Sequence, residues 1–261
     1  MGNMFDLTGR VAVVTGGGSG IGRSMCHGLA EFGADVVVAD LNGETAGETA
    51  GSIARFGHRT MAIKTDVSKA ADVENMVSQT VAKFGRLDIA CNNAGGLVGR
   101  YRIHETPEEL WDTIMAVNFK GIFLCTKEEV KVMLKQRSGS IINTASVGAL
   151  VPGDPDTMGS IYDAAKAGVI VFSRKAAGEY GKEGIRINAI APGMIMGTNF
   201  AAERRKNAPE AASAKVRQSL ARMALGRPGS ADEMKGIVVY LASDAASYAS
   251  GQVFVVDGGI S

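Results

Sequence analysis

The sequence predicts an α/β fold: a doubly wound, parallel, seven-stranded sheet with helices on both faces, built as one domain over residues 1–261. Three observations predict it. Short runs rich in Val and Ile recur along the chain, and most are continuous rather than alternating, as in strands buried on both faces. Longer amphipathic segments separate them, and strand–helix repetition of this kind implies parallel pairing with right-handed crossovers. The first run leads directly into a glycine-rich turn, Thr15-Gly16-Gly17-Gly18-Ser19-Gly20-Ile21-Gly22, followed by a helical pattern.

In chain order, strand Val11–Thr15 is followed by a helix over 20–32, and strand Asp35–Ala39 by a helix over 43–56. Strand Thr60–Lys64 precedes a helix over 69–84, and strand Leu87–Cys91 precedes a long helical pattern over 107–136. Strand Ser140–Thr144, a helix over 161–183, strand Arg186–Ile190, a helix over 231–243 and strand Val253–Val256 complete the alternation. Two stretches break it, 147–160 and 193–228, the second with a short helical pattern around 199–222. Long irregular segments in a compact domain usually serve as lids or binding loops. Both follow expected strands, so both belong at the carboxyl edge of the sheet, where ligands bind in such folds. Segment 193–228 is therefore the expected substrate loop or lid.

Bulk composition narrows the function. The 261 residues carry 28 basic and 27 acidic side chains, a balance that recommends neither nucleic acid nor an anionic membrane as partner. Three cysteines, Cys26, Cys91 and Cys125, are odd in number and lack CxxC spacing, which speaks against a disulfide framework and fits a reducing, cytoplasmic setting. The N-terminus lacks the basic region and apolar run of a secretory signal, and Asp6 stands where a myristoylation motif wants Ser or Thr. The uncharged stretches are broken by Gly, Pro, Asn and Ser, so no transmembrane helix is expected.

The glycine turn carries the first chemistry. In Gly16-x-x-x-Gly20-x-Gly22 the glycines permit a tight turn and let the backbone approach a pyrophosphate. The helix that follows offers free N–H groups and a positive dipole end. A surface turn needs the same residue types; the strand–turn–helix context is what favours dinucleotide binding. Asp40 closes the second strand, and a carboxylate there accepts hydrogen bonds from the adenosine ribose hydroxyls and repels a 2′-phosphate, which favours NAD over NADP. Asp40-Leu41-Asn42 contains no basic residue, and Ser19 rather than Arg or Lys precedes Gly20.

The second chemistry lies in Tyr162-Asp163-Ala164-Ala165-Lys166. Positions i and i+4 share a helix face, which brings the Tyr162 hydroxyl and the Lys166 ammonium to one side. A nearby cation favours tyrosinate, so the phenol is expected below its ordinary value and suited to general acid–base work. The same spacing is common on amphipathic helices and by itself decides nothing.

Taken together, these motifs resemble the short-chain dehydrogenase/reductase family, in its shorter single-domain branch with a Rossmann-type sheet. The resemblance spans almost the whole chain. It is carried by Thr15–Gly22, Asp66-Val67, Asn92-Asn93-Ala94-Gly95, Asn118, Ser146, Tyr162, Lys166, Pro192-Gly193 and Asp257-Gly258-Gly259. It implies that Tyr162 exchanges the proton with the substrate oxygen, that Lys166 lowers its pKa and binds the nicotinamide ribose, and that Ser146 orients the carbonyl or hydroxyl. Asn118 would hold a relay water linking Lys166 to solvent. Gly16, Ser19, Gly20, Ile21 and Gly22 would cradle the pyrophosphate, with Asp40 and Leu41 at the ribose. Asp66 and Val67 would contact the adenine, Asn93, Ala94 and Gly95 would pack by the cofactor, and Pro192, Gly193 and Ile195 would border the nicotinamide. Thr198 would be the carboxamide-binding threonine, although it falls one position later than the family pattern. Ser146 and Tyr162 are also a few residues further apart than is usual, with the excess in Pro152-Gly153-Asp154-Pro155-Asp156. The resemblance further implies a homotetramer with the last strand near a two-fold axis.

Other residues read more plainly. His27, His58 and His104 show no metal spacing, and no metal is expected. Cys91 reads as a small apolar core residue, and Trp111 as core or subunit packing. Arg100 and Arg102 read as solvated or intersubunit groups, or as groups that meet an acidic substrate, and the run Arg204-Arg205-Lys206 as a solvated helix face. The function expected is NAD-dependent interconversion of a secondary alcohol and a ketone of a small molecule. The alternatives are a dinucleotide-binding sensor or structural protein without turnover, and an epimerase or dehydratase of the extended relatives.

Overall fold

The computed structural model describes residues 2–96, 101–151, 159–198 and 220–261. Seven parallel strands form the central sheet: β1 Val11–Thr15, β2 Asp35–Asp40, β3 Thr60–Lys64, β4 Ile89–Asn92, β5 Gly139–Thr144, β6 Ile185–Pro192 and β9 Val253–Val256, in the order β3-β2-β1-β4-β5-β6-β9. The order reverses between β1 and β4, which places a crevice at the carboxyl ends of those two strands. β1 pairs with β2 from Val11↔Asp35 to Thr15↔Ala39, and with β4 from Ala12↔Ile89 to Val14↔Cys91. A second, two-stranded ladder, β7 Ile195–Met196 with β8 Gly229–Ser230, brackets the segment after β6.

Side-chain alternation explains why the strands read as continuous apolar runs. From β1, Ala12 and Val14 point into one core with Met25, Leu29, Val36, Val38, Val238 and Leu241. Val11 and Val13 point into the other with Val37, Val73, Met76, Val77 and Met133. Both faces are covered, so each position is apolar.

Helices α1 Gly20–Glu31, α2 Gly43–Ile53 and α3 Ala70–Phe84 follow the first three strands. The Asn42 side chain caps α2 by accepting from the Glu44 and Thr45 N–H groups, and Gly85 ends α3 at φ 81°. The single helix expected over 107–136 is two: α4 Glu108–Met115 and α5 Gly121–Gln136, joined by a π turn over Ala116–Lys120 that contains Asn118. Such insertions often mark functional positions. α6 Ser160–Tyr180 carries the tyrosine and lysine, and α7 Lys235–Ala242 follows a capping box formed by Ser230 and Glu233.

Strand ends differ slightly from expectation. β4 begins two residues later than the apolar run suggests and extends to Asn92, while β6 runs on to Pro192. The β7–β8 ladder was not expected, because two-residue strands carry no periodicity. Segment 152–158, Leu97–Arg100, Arg204-Arg205-Lys206 and most of the helical pattern at 199–222 lie outside the described residues. Trp111 is 46% exposed, which removes it from the core, whereas Cys91 is fully buried.

Candidate active site

The glycine turn sits at the carboxyl end of β1. Thr15 ties it to the neighbouring loop: its Oγ1 accepts from the Asn93 N–H at 3.0 Å and the Ala94 N–H at 3.1 Å. Asn93 Nδ2 donates to the Thr15 carbonyl at 3.1 Å. Gly16 takes φ 64°, and a Cβ on Gly22 would collide with the Gly16 carbonyl, so the turn closes only with glycine at both positions. Ser19 occupies the N-cap of α1 without a side-chain cap, and the first turn of that helix carries no acid. The leading N–H groups of a helix have no partner within it. Here they stand beside Gly20, Ile21 and Gly22, where an anionic group is favoured. The donor set and the tight turn therefore fit a dinucleotide pyrophosphate.

Asp40 lies at the rim of this cradle. Its Oδ2 accepts from the Gly18 N–H at 2.9 Å, and its Oδ1 from the Asn42 N–H at 2.9 Å. Leu41 beside it is 64% exposed. Arg23, which borders the turn, is committed to the Gly18 carbonyl, Thr49 Oγ1 and Glu48. Asp66 is engaged in its own turn: Oδ1 accepts from the Ser68 hydroxyl and N–H, and Lys69 lies 3.3 Å from Oδ2. These bonds hold its carboxyl below the usual range, with the Ser68 hydroxyl the largest contributor. Val67 is buried against Gly121 at the start of α5.

Across the crevice, Lys166 is buried and its Nζ donates to the Thr144 carbonyl at the end of β5, at 2.9 Å. Burial lowers its pKa to about 8. Nζ stands 5.7 Å from the centroid of the Tyr162 ring. Ser146, two residues past β5, hydrogen-bonds the Tyr162 phenol, so the long interval between them still brings the two side chains together. The acidity of Tyr162 departs from the sequence expectation. Burial pushes the phenol up to about 12; the Ser146 hydrogen bond pulls it down and the neighbouring Asp163 carboxylate pushes it further up. Burial is the main cause, and the Lys166 ammonium, the cation expected to counter it, donates to the Thr144 carbonyl.

Asn118 is fully buried in the π turn. Its Oδ1 accepts from the Gly96 N–H at 3.1 Å, and its Nδ2 donates to the carbonyls of Gly96 at 2.8 Å and Ile114 at 3.0 Å. The side chain thus clamps the loop that follows Asn93-Ala94-Gly95. A Cβ on Gly95 would lie 2.8 Å from Asn118 Oδ1 and 3.2 Å from Lys166 Nζ, which shows how closely this loop passes between the two.

At the far side of the crevice, Pro192 ends β6, and Gly193 donates its N–H to the Val256 carbonyl at 2.9 Å. The Ile195 side chain is packed in the core. Thr198 lies against the glycine turn, where a Cβ on Gly20 would stand 3.3 Å from its Cγ2. Its hydroxyl donates to the Ile195 carbonyl at 3.4 Å.

Four residues with a part in this geometry escaped the sequence. Thr144 contributes only a carbonyl, which no motif records. Gly148 and Asp163 meet through the fold, and Asp163 stood unread inside the Tyr–Lys motif. Glu129 reads as part of the charged run Lys127-Glu128-Glu129, yet it is completely buried. Asn92 Nδ2 donates to its Oε2 at 2.9 Å, and burial raises its pKa to about 8. Among the described residues no group of His, Cys, Asp and Glu assembles to hold a metal.

A glycine cradle at the switch point, facing the Ser146 and Tyr162 hydroxyls and the Lys166 ammonium after β5 and in the first half of α6, is the equipment of a dinucleotide-dependent oxidoreductase. Comparison with known proteins makes this specific. A family model described as enoyl-(acyl carrier protein) reductase matches residues 16–261. A short chain dehydrogenase/reductase of Aspergillus oryzae is 41% identical over 259 residues, covering 98% of this chain and 97% of that protein. The cis-4-hydroxycyclohexanecarboxylate dehydrogenase of Sinomonas cyclohexanicum is 37% identical over 253 residues, 96% of each. The crystal structure of levodione reductase superposes with a TM-score of 0.91 at 35% identity, covering 97% of this chain and 98% of that one. The chain belongs to the short-chain dehydrogenase/reductase family, whose members are oxidoreductases using a nicotinamide dinucleotide.

Proposed function

We propose that the protein is an NAD-dependent oxidoreductase that interconverts a secondary alcohol and a ketone of a small molecule, with Tyr162 as general acid and base. One observation carries this reading: Ser146, Tyr162 and Lys166 converge at the carboxyl edge of the sheet, with the Ser146 hydroxyl on the phenol and the Lys166 ammonium beneath the ring. The bound nicotinamide supplies the hydride acceptor or donor, and in its oxidised form a positive charge.

The protein's own residues handle the proton and the geometry. Ser146 holds the substrate oxygen against the phenol. Tyr162 gives its proton to a carbonyl, or takes one from a hydroxyl, in step with hydride transfer. Burial keeps the phenol protonated at neutral pH, which suits the donor role. The base role requires positive charge nearby, for which Lys166 stands in place. Lys166, brought to about 8, can exchange a proton near neutrality. The Asn118 side chain is spent on Gly96 and Ile114, so the main chain of the π turn is the group left to hold a relay water. Asp40 supports NAD over NADP, because its charge would stand against a 2′-phosphate.

The relatives act on varied small molecules, and the ring alcohol named for the Sinomonas enzyme makes an alicyclic secondary alcohol the first substrate class to try. Segment 193–228, anchored by the β7–β8 ladder, would form the substrate loop within a single domain. The proposed assembly is a homotetramer: Phe123 of α5, Val171 of α6 and Val255 of β9 expose apolar surface suited to contacts between copies. Light scattering tests that assembly. The three buried free cysteines suit a reducing, cytoplasmic compartment.

The function is tested with a panel of secondary alcohols followed by NADH absorbance, with NAD binding measured separately. Tyr162→Phe should lower turnover by about 10²–10⁴-fold while NAD still binds. Unaltered turnover in that variant, or no NAD binding by the native protein, refutes the reading. Tight NAD binding with no turnover across the panel would point to a sensor.

A further inference from the structure

Asp163 follows Tyr162 in the first turn of α6. Its carboxylate lies against Gly148: a Cβ there would stand 3.1 Å from Asp163 Cγ and would collide with Oδ1. Gly148 in turn donates its N–H to Ser146 Oγ at 3.2 Å. With that oxygen accepting from Gly148, the Ser146 O–H is free to donate to the phenol of Tyr162, and that hydrogen bond favours the ionised phenol. The carboxylate therefore touches the residue that aims the serine, and it sits next in sequence to the tyrosine.

We propose that Asp163 is a positioning residue of this reaction, seating the Ser146 turn on α6 and placing a fixed negative charge beside the Tyr162 phenol. The proposal rests on the catalytic reading above. After burial and the Ser146 hydrogen bond, the Asp163 charge is the next influence on the phenol, and it opposes ionisation. Among the described residues, Lys166, also on α6, is a second charged group facing the ring. Thr144 of β5, Ser146 and Gly148 of the turn and Asn118 of the π turn are uncharged. The α4 acids Glu108, Glu109 and Asp112 are exposed, and Asp154 and Asp156 fall outside the described residues. The effect is a brake on tyrosinate: the enzyme gains a rigidly held serine and gives up some activity on the acid side of its pH range.

The competing reading is that Asp163 only stabilises the N-terminus of α6 through the helix dipole. The pH profile of kcat/KM for alcohol oxidation separates the two. Asp163→Asn keeps the shape and removes the charge. Its acid limb should move to lower pH, raising activity on that limb by about threefold or more. Asp163→Ala should show the same movement and also lose plateau kcat by about tenfold as Ser146 loses its seat, with KM for NAD nearly unchanged. Gly148→Ala should lower kcat in the native background and less so beside Asp163→Ala, where the colliding carboxylate is gone. Profiles that superpose on the native one in both Asp163 variants, with only melting lowered, overturn the proposal. If Asp163→Asn does not fold, equal losses from Gly148→Ala in both backgrounds overturn it. Full activity in Tyr162→Phe would instead overturn the catalytic reading itself.

Discussion

Glu129→Gln should abolish much of the fall in stability between about pH 5 and 8. Glu129 projects from α5 into the protein with no solvent exposure, and its one bonded oxygen accepts from Asn92. Its Oε1, like Asn92 Oδ1, is buried without a hydrogen-bond partner among the described residues. Burial raises the acid from its ordinary 4.5 to about 8, only partly offset by the Asn92 bond. A folded-state value above the unfolded one means that the folded protein binds the proton more tightly. The stabilisation is complete below the unfolded value and is lost as pH rises through the folded one. Each pH unit inside the window costs about 1.4 kcal/mol, so moving from about pH 5.5 to 7.5 removes roughly 2.7 kcal/mol. The Gln amide keeps an acceptor for Asn92 Nδ2 and never ionises. Thermal melts of both proteins at these two pH values, at fixed protein concentration, read the difference. The native protein should drop by about 5–10 °C more than the variant, since 1 kcal/mol shifts the midpoint of a chain of this size by roughly 2–4 °C. Parallel pH dependences would mean that Glu129 does not bind a proton on folding, and would refute the reasoning.

Two further outcomes follow from local geometry. Asp40→Ala should raise KM for NAD by about 10–100-fold, from lost hydrogen bonds to a charged acceptor, and should narrow the preference against NADP; steady-state kinetics with both cofactors measure the ratio. Arg137 ends α5 with φ 55°, a left-handed conformation that favours glycine, and among the described residues its guanidinium makes a single long contact, 3.4 Å to the Lys182 carbonyl. Arg137→Gly should therefore stabilise by about 0.5–1 kcal/mol, visible as a melting rise of roughly 2 °C with unchanged activity.

What the sequence revealed was what backbone periodicity and short-range spacing encode. Val11–Thr15 and Asp35–Asp40 were legible because strands covered on both faces need apolar residues at successive positions, and α1 was legible because glycine turn and helix start are contiguous. The break at Ala116–Lys120 was not, since its residues suit an α-helix and the π turn arises where Asn118 reaches across to Gly96. The acidity of Tyr162 was misjudged for a related reason. Spacing placed Lys166 on the right face, but it records neither the burial of the phenol nor the Thr144 carbonyl that takes the ammonium's hydrogen bond. Glu129 shows the limit most plainly: nothing in Lys127-Glu128-Glu129 separates the acid that pairs with surface lysines from the one buried in the core.

The buried polar groups also explain why the two halves of the site hold register. Asn92 Nδ2 donates to Asn143 Oδ1 at 3.1 Å as well as to Glu129, and Asn143 Nδ2 donates to Ser173 Oγ at 2.9 Å. Ser173 closes the chain on the Val169 carbonyl of α6 at 2.7 Å. This ladder runs from α5 through the ends of β4 and β5 to α6, the helix of Tyr162 and Lys166. Asn92 immediately precedes the Asn93–Gly95 loop that brackets the glycine turn, and Asn143 immediately precedes Thr144, which holds Lys166. An apolar core at the same positions would tolerate small slips between strands and helices, because dispersion contacts are nondirectional. Hydrogen bonds between buried amides do not, since each broken bond strands a desolvated group. Proton and hydride transfer lose rate steeply with displacements of about an ångström. A directional ladder beneath the cofactor loop and the Tyr162–Lys166 helix is therefore what the chemistry needs.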